Sequence, residues 1–302
     1  MRTVRRPVRH APFLVAGLAW PLAAVAHGGP TDAPPSWTFD PVVVVPLIVC
    51  ATLYVAGTLR LWSKAGAGRG IRPWQVVSYS AGLLALAGAL TSPLHWLGER
   101  LFTAHMIEHE IVMAVAAPLL ALARPFGAFL WAFPGRIRRA AGRLGRGRSV
   151  GAAWSVVTRP AVATVLHGAA IWVWHLPPLL DLTVTDIALH RLQHASFLAT
   201  ALLFWWALVR RSNPGAACGH VFVTMLHTGL LGALIALAPR VLYAAQTSGA
   251  AICGLTPLED QQLAGLVMWV PAGTIYAAAA ITFLGLWIRG AGPGRMARDA
   301  VA

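Results

Sequence analysis

The chain has 302 residues, 57% of them hydrophobic and only 11% charged, with a mean hydropathy of +0.65. These values exclude an ordinary soluble domain and a disordered chain, and they mark a polytopic membrane protein. Lys and Arg number 24 against 10 Asp and Glu, but the basic residues sort into alternate loops and form no single patch. No nucleic-acid partner is expected, and the excess charge serves to set orientation.

In chain order, residues 1–26 read as a secretory signal peptide. Arg2, Arg5, Arg6 and Arg9 precede a short apolar run from Phe13, which ends at the small-residue signal Ala24-Val25-Ala26. A retained first span is the competing reading. Residues 27–40 are then an extracytoplasmic N-terminal segment. A bilayer crossing needs roughly 20 apolar residues, and seven such stretches follow, at about 41–62, 74–93, 104–123, 160–177, 188–209, 219–238 and 263–288. The expected fold is all-α, a seven-helix transmembrane bundle over 41–288 with a cytoplasmic tail at 289–302. Pro118 and Pro271 fall within spans and should bend them.

Loop charge gives the orientation. Arg60, Lys64, Arg69 and Arg72 follow the first span, eight arginines from Arg124 to Arg159 follow the third, and Arg210 and Arg211 follow the fifth. Arg289, Arg295 and Arg298 lie in the tail. These segments are cytoplasmic by the positive-inside rule. The basic-poor loops carrying His95, Glu99, Asp181, Asp186, Glu259 and Asp260 face outward, in the inner membrane of a bacterium. The Arg-rich stretch 134–150 suits an interfacial helix on anionic membrane lipid. Cys50, Cys218 and Cys253 form no CxxC pair and indicate neither a disulfide framework nor a thiolate site.

Two strings at the starts of spans carry chemistry. His105-Met106-Ile107-Glu108-His109 and His190-Arg191-Leu192-Gln193-His194 both read His-x-x-(Glu/Gln)-His. On a helix each histidine pair sits at i and i+4, about 6 Å apart along one face, where two imidazoles can share an ion. Ionisable groups inside a span are expensive and usually face the bundle interior. The four pair members are therefore candidate metal ligands, joined by His175 at the end of the fourth span and, more weakly, by Met268 in the seventh. Glu108, Gln193, Asp186, His227 and Asp260 are candidates for orienting the ligands. His167 and His220, alone at inner depths, read as helix-to-helix hydrogen bonds.

Neutral imidazole suits copper, zinc, iron and nickel, and a thioether biases a site toward cuprous copper. One histidine from each pair could instead ligate haem from opposite faces. A pocket continuing inward through His227, Thr224 and His220 would make the protein a copper permease. No Ser/His/Asp set, phosphate-cradling loop or nucleotide motif is visible, and no enzymatic activity is expected.

The same strings, with Ala117-Pro118-Leu119-Leu120, Trp174-His175-Leu176-Pro177, Leu203-Phe204-Trp205-Trp206 and Asp260-Gln261-Gln262 running to Met268-Trp269, resemble the polytopic CtaG family of cytochrome c oxidase assembly factors. The resemblance covers about 41–288. It implies a factor that matures haem-copper oxidases by putting copper (Cu+ or Cu2+) into an oxidase subunit; a periplasmic copper donor is a further candidate partner, which the sequence does not identify. It also implies His105, His109, His190 and His194 as ligands. The family pattern usually has Gln at the position of Glu108 and an apolar residue at that of Glu110, so this chain adds carboxylate charge beside the site.

Overall fold

The structure, a computed structural model, describes residues 35–145 and 147–290. The expected signal peptide and all but the first two residues of the tail lie outside the described residues. Among the described residues all regular structure is helical: α1 (Pro41–Ala65), α2 (Pro73–Thr91), α3 (Pro93–Gly98), α4 (Phe102–Glu110), a π-helical segment (Ile111–Ala116), α5 (Ala117–Leu122), α6 (Pro125–Trp131), α7 (Gly135–Gly145), α8 (Arg148–Val157), α9 (Pro160–Trp174), α10 (Pro177–Thr185), α11 (Ile187–Arg211), α12 (Pro214–Ala236), a short 3₁₀ turn (Ala250–Cys253) and α13 (Pro257–Gly290).

The sequence punctuates these helices at their starts. Pro41, Pro73, Pro93, Pro125, Pro160, Pro177, Pro214 and Pro257 are each the first residue of a helix, where a missing N–H costs nothing. Asp40, Ser92, Asp186 and Asn213 precede four of them or of their neighbours and accept hydrogen bonds from first-turn amides.

Among the described residues six helical stretches are long and apolar enough to cross a bilayer: α1, α2, the run Phe102–Leu122, α11, α12 and α13. The protein is thus a multi-span membrane protein, and the expected fourth crossing is the one that differs. There α9 has only 15 residues, about 22 Å at 1.5 Å per residue, short of a hydrocarbon core of about 30 Å. His175 already terminates it, and Pro177 begins α10. Only the pair α8 and α9, bent by 68°, reaches crossing length.

Phe102–Leu122 is the central rod. Two-thirds of its apolar window (67%) is buried by protein, against 17–39% for the other five. It packs against α13, α2 and α11, while α11 also packs on α9. α12 and α13 form a tight hairpin. A β-carbon on Gly232 would stand 2.8 Å from the Gly265 carbonyl oxygen, and one on Gly265 would collide with the Ala236 amide, so the two backbones meet only because both residues lack side chains. α1 is peripheral, held by α6 and by the Tyr54–Tyr79 ring stack at 3.7 Å.

Candidate metal site

α4 and α11 begin at the same end of the bundle, and each carries its first histidine three residues in and its second seven residues in, about 4.5 and 10 Å along the axis. The geometry puts the two pairs side by side. The His105 and His109 ring centroids are 4.1 Å apart, His190 and His194 4.6 Å, His109 and His194 4.9 Å, and His105 and His190 5.6 Å. The Nε2 atoms of His109 and His194 approach to 3.0 Å, one ring donating to the other. His105, His109 and His194 each offer a nitrogen, and the three atoms lie within 4.8 Å of one another. Two nitrogens bound to one ion at about 2.0–2.1 Å can be at most about 4.1 Å apart. A contraction of under about 1 Å therefore closes a three-nitrogen site.

The donor set fits such an ion on a second count. Neither ring nitrogen of His105 and not Nδ1 of His109 has a well-formed hydrogen bond among the described residues, although both side chains are 1% exposed. Buried polar atoms normally find partners, and each of these rings when neutral keeps one basic nitrogen, so the donor set is of a kind that could hold a metal ion. Gln193 lies fully buried beside His105.

Glu108 is central. One of its carboxylate oxygens, Oε1, sits 2.9 Å from His95 Nδ1 and 3.3 Å from His194 Nε2. His95 comes from α3, and its ring also lies 5.7 Å from that of His190. It is the one member of the cluster that the sequence did not single out. Burial alone would favour neutral His95, but the hydrogen bond to Glu108 and the negative charges of Glu108, Glu99 and Asp40 outweigh it and raise its pKa above the ordinary 6.5. Gly98 makes room for this pairing of α3 with α4: a β-carbon there would stand 2.8 Å from Glu108 Oε2.

The other candidates take up varied positions. His175 donates from Nδ1 to the Ile171 carbonyl at 2.7 Å, which leaves Nε2 as its basic nitrogen; Phe197 touches both its ring and that of His109, with centroids at 6.1 and 4.8 Å. Met268 is 1% exposed, two turns along α13 from Asp260. Asp260 holds no imidazole. Its carboxylate accepts from the Phe102 and Thr103 amides at 2.8 and 2.9 Å and from the Thr103 hydroxyl at 2.7 Å, capping α4, whose own N-cap Leu101 offers no acceptor. Asp186 caps α11 through the Ala188 amide at 2.8 Å. Each acid fixes the first turn of a histidine-bearing helix. His227 sits between α9 and α12, accepting from Trp172 Nε1 at 3.3 Å. His220 pairs with Thr164 at 3.0 Å and His167 with Thr200 at 3.2 Å, as helix-to-helix contacts.

Below the histidines the central rod changes pitch. From Ile111 to Ala116 it is π-helical, with the Ala117 amide bonded to Val112 O. In that register residue 118 would donate to Met113 O. Pro118 has no N–H, and Trp205 Nε1 of α11 donates to the same carbonyl at 3.0 Å. A break expected as a bend is thus repaired by the neighbouring helix.

Fold and site together define a multi-span helical membrane protein with a buried histidine cluster at one end of the bundle. A sequence model of the cytochrome c oxidase caa3 assembly factors (Caa3_CtaG) matches residues 52–290, and the chain belongs to that family. It is 23% identical over 274 residues to an uncharacterized protein of Mycobacterium leprae, covering 84% of this chain and 40% of that protein. Uncharacterized proteins of Mycobacterium bovis and Mycobacterium tuberculosis are each 25% identical over 251 residues, which is 77% of this chain and 36% of each of theirs. The chain thus spans about two-fifths of the length of these curated relatives. No solved structure matches.

Proposed function

We propose that the protein binds copper in the histidine cluster and delivers it to a membrane-embedded subunit of a haem-copper oxidase. The observation that carries the reading is the convergence of His105, His109 and His194 nitrogens within 4.8 Å, inside a family of oxidase assembly factors. Copper is cargo here. His105, His109 and His194 would hold it, His190 and His175 stand nearby for ligand exchange, and Glu108 orients His194 and offsets cationic charge. Arginine-rich segments follow the ends of these spans opposite the cluster; read as cytoplasmic by the positive-inside rule, they support a cluster facing the extracytoplasmic side of an inner membrane. A periplasmic donor would then load it.

Two observations favour this reading over its rivals. His109 and His194 nitrogens at 3.0 Å leave no slot for a porphyrin between them. His220 and His227 are engaged with Thr164 and Trp172 and do not line the cavity that opens at His194, which argues against a continuous permeation path.

The test is copper analysis of the purified full chain and of its His109→Ala/His194→Ala variant, with the copper content of the oxidase from the matching strains. We expect the native protein to hold copper, the variant to lose affinity by at least tenfold to a hundredfold, and its oxidase to be copper-deficient. A native protein that takes up no copper, or a variant strain with a fully metallated oxidase, overturns the reading.

A further inference from the structure

α1 and α11 line a cavity of about 930 Å³. The cavity follows α11 from Ile187 to Trp206, about 28 Å of helix, a length that suits acyl chains extended from a head group at one end. The polarity of the walls is graded. Asp40, His95, Glu99, Arg100, His190 and Arg191 surround one end, with Thr38 and His194 also lining the groove, and the rest is mainly apolar, from Leu83 and Leu198 down to Phe126 and Trp206 at the other.

We propose that this groove is a binding site for one phospholipid, its phosphodiester head at Arg100 and Arg191 and its acyl chains along α1 and α11. Arg191 spends Nε and one terminal nitrogen on Asp40 at 3.0 and 2.8 Å, and Arg100 uses Nη1 on the Trp96 carbonyl and Glu99. A guanidinium has five N–H donors, so each retains donors for a phosphate oxygen, the partner guanidinium recognises best. The adjacent Asp40 and Glu99 match an ammonium-bearing or hydroxylated head. Within a bilayer, acyl chains are the solvent at hand along the apolar length. The lipid would wall the histidine cluster, which meets the groove at His190 and His194, from the membrane on the α1 side. This inference stands apart from the copper reading, because lipid retention is read without metal.

The test uses the full chain in nanodiscs of phosphatidylethanolamine and phosphatidylglycerol doped with a phospholipid carrying a diazirine on its acyl chain. Photolysis should place adducts on Leu83, Leu198 or Trp206, which line the groove. After detergent extraction, native mass spectrometry should find one phospholipid per chain. Ala199 also lines the groove, and Ala199→Trp should lower retention about tenfold or more by overfilling it. Leu192→Trp, on an exposed position outside the groove, should leave retention unchanged. Adducts confined to outward residues such as Leu226 and Leu230, a retained quinone in place of phospholipid, or equal retention by Ala199→Trp overturns the proposal. If Ala199→Trp does not fold, the adduct positions in the native chain decide alone.

Discussion

Glu108 is where the chemistry of the site is concentrated. It is fully buried and shares one oxygen between two imidazoles from different helices. Breaking such a pair leaves an uncompensated polar group, which is why it couples stability to pH. His95 has a raised pKa in the folded chain. Its stabilisation is therefore fully present below the unfolded value near 6.5 and is lost as pH rises through the raised folded value. In chelator-treated protein we expect the melting temperature to fall as pH is raised from about 6 to about 9, and Glu108→Gln to flatten that dependence. A native melting temperature that rises over the same range would show that His95 does not draw its proton affinity from Glu108. The two histidine pairs were legible in the sequence because helical period alone puts i and i+4 on one face. His95 was not. Its place depends on the turn at Ser92–Pro93 and on Gly98 allowing α3 to fold onto α4, a tertiary relation that no local spacing encodes.

The elements that carry the site depend on help from elsewhere in the chain. α4 has no N-cap of its own, and Asp260 supplies one across 157 residues. Asp260→Ala would leave the Phe102 and Thr103 amides and the Thr103 hydroxyl without that acceptor, and we expect a loss of about 2 kcal/mol, read by denaturation of the purified protein. Asp260→Asn, which keeps a carbonyl acceptor, should recover most of it; equal loss in both would assign the effect to charge instead of capping. The motif around Asp260 was visible in sequence, and its role was not, since a carboxylate near a metal site and a carboxylate on a helix end look alike until the helix start is known. Span positions were legible within a few residues wherever apolar length exceeded a bilayer. The fourth span is less plainly legible: the apolar run continues past Trp174 into Leu176 and Leu179, while the helix stops at His175, a few residues short of the expected end at 177, and reaches crossing length only together with α8. The π register at Ile111–Ala116 was hidden too, because its stabilising partner, Trp205, lies on another helix.

At the scale of the whole molecule the charge asymmetry makes the strongest claim. The histidine cluster, the α3 turn and the 3₁₀ turn Ala250–Cys253 share one end, and the basic helix α7 lies at the other. Cys253 is exposed, while Cys50 and Cys218 are half-buried. A membrane-impermeant maleimide applied to intact spheroplasts should therefore label Cys253, with Cys253→Ser abolishing the signal. Labelling only after lysis would reverse the orientation and separate the cluster from any periplasmic donor.

The short α9 has a mechanical consequence for the surrounding membrane. A rod about 22 Å long set against about 30 Å of hydrocarbon leaves a mismatch of about 8 Å on one flank. Lipid there must thin, or α8, tilted at 68° to α9, must lie along the boundary to cover the shortfall, at a fraction of a kcal/mol per Å. The molecule should then settle beside other dimpled or short-spanned neighbours, since sharing one depression relieves the elastic penalty on both.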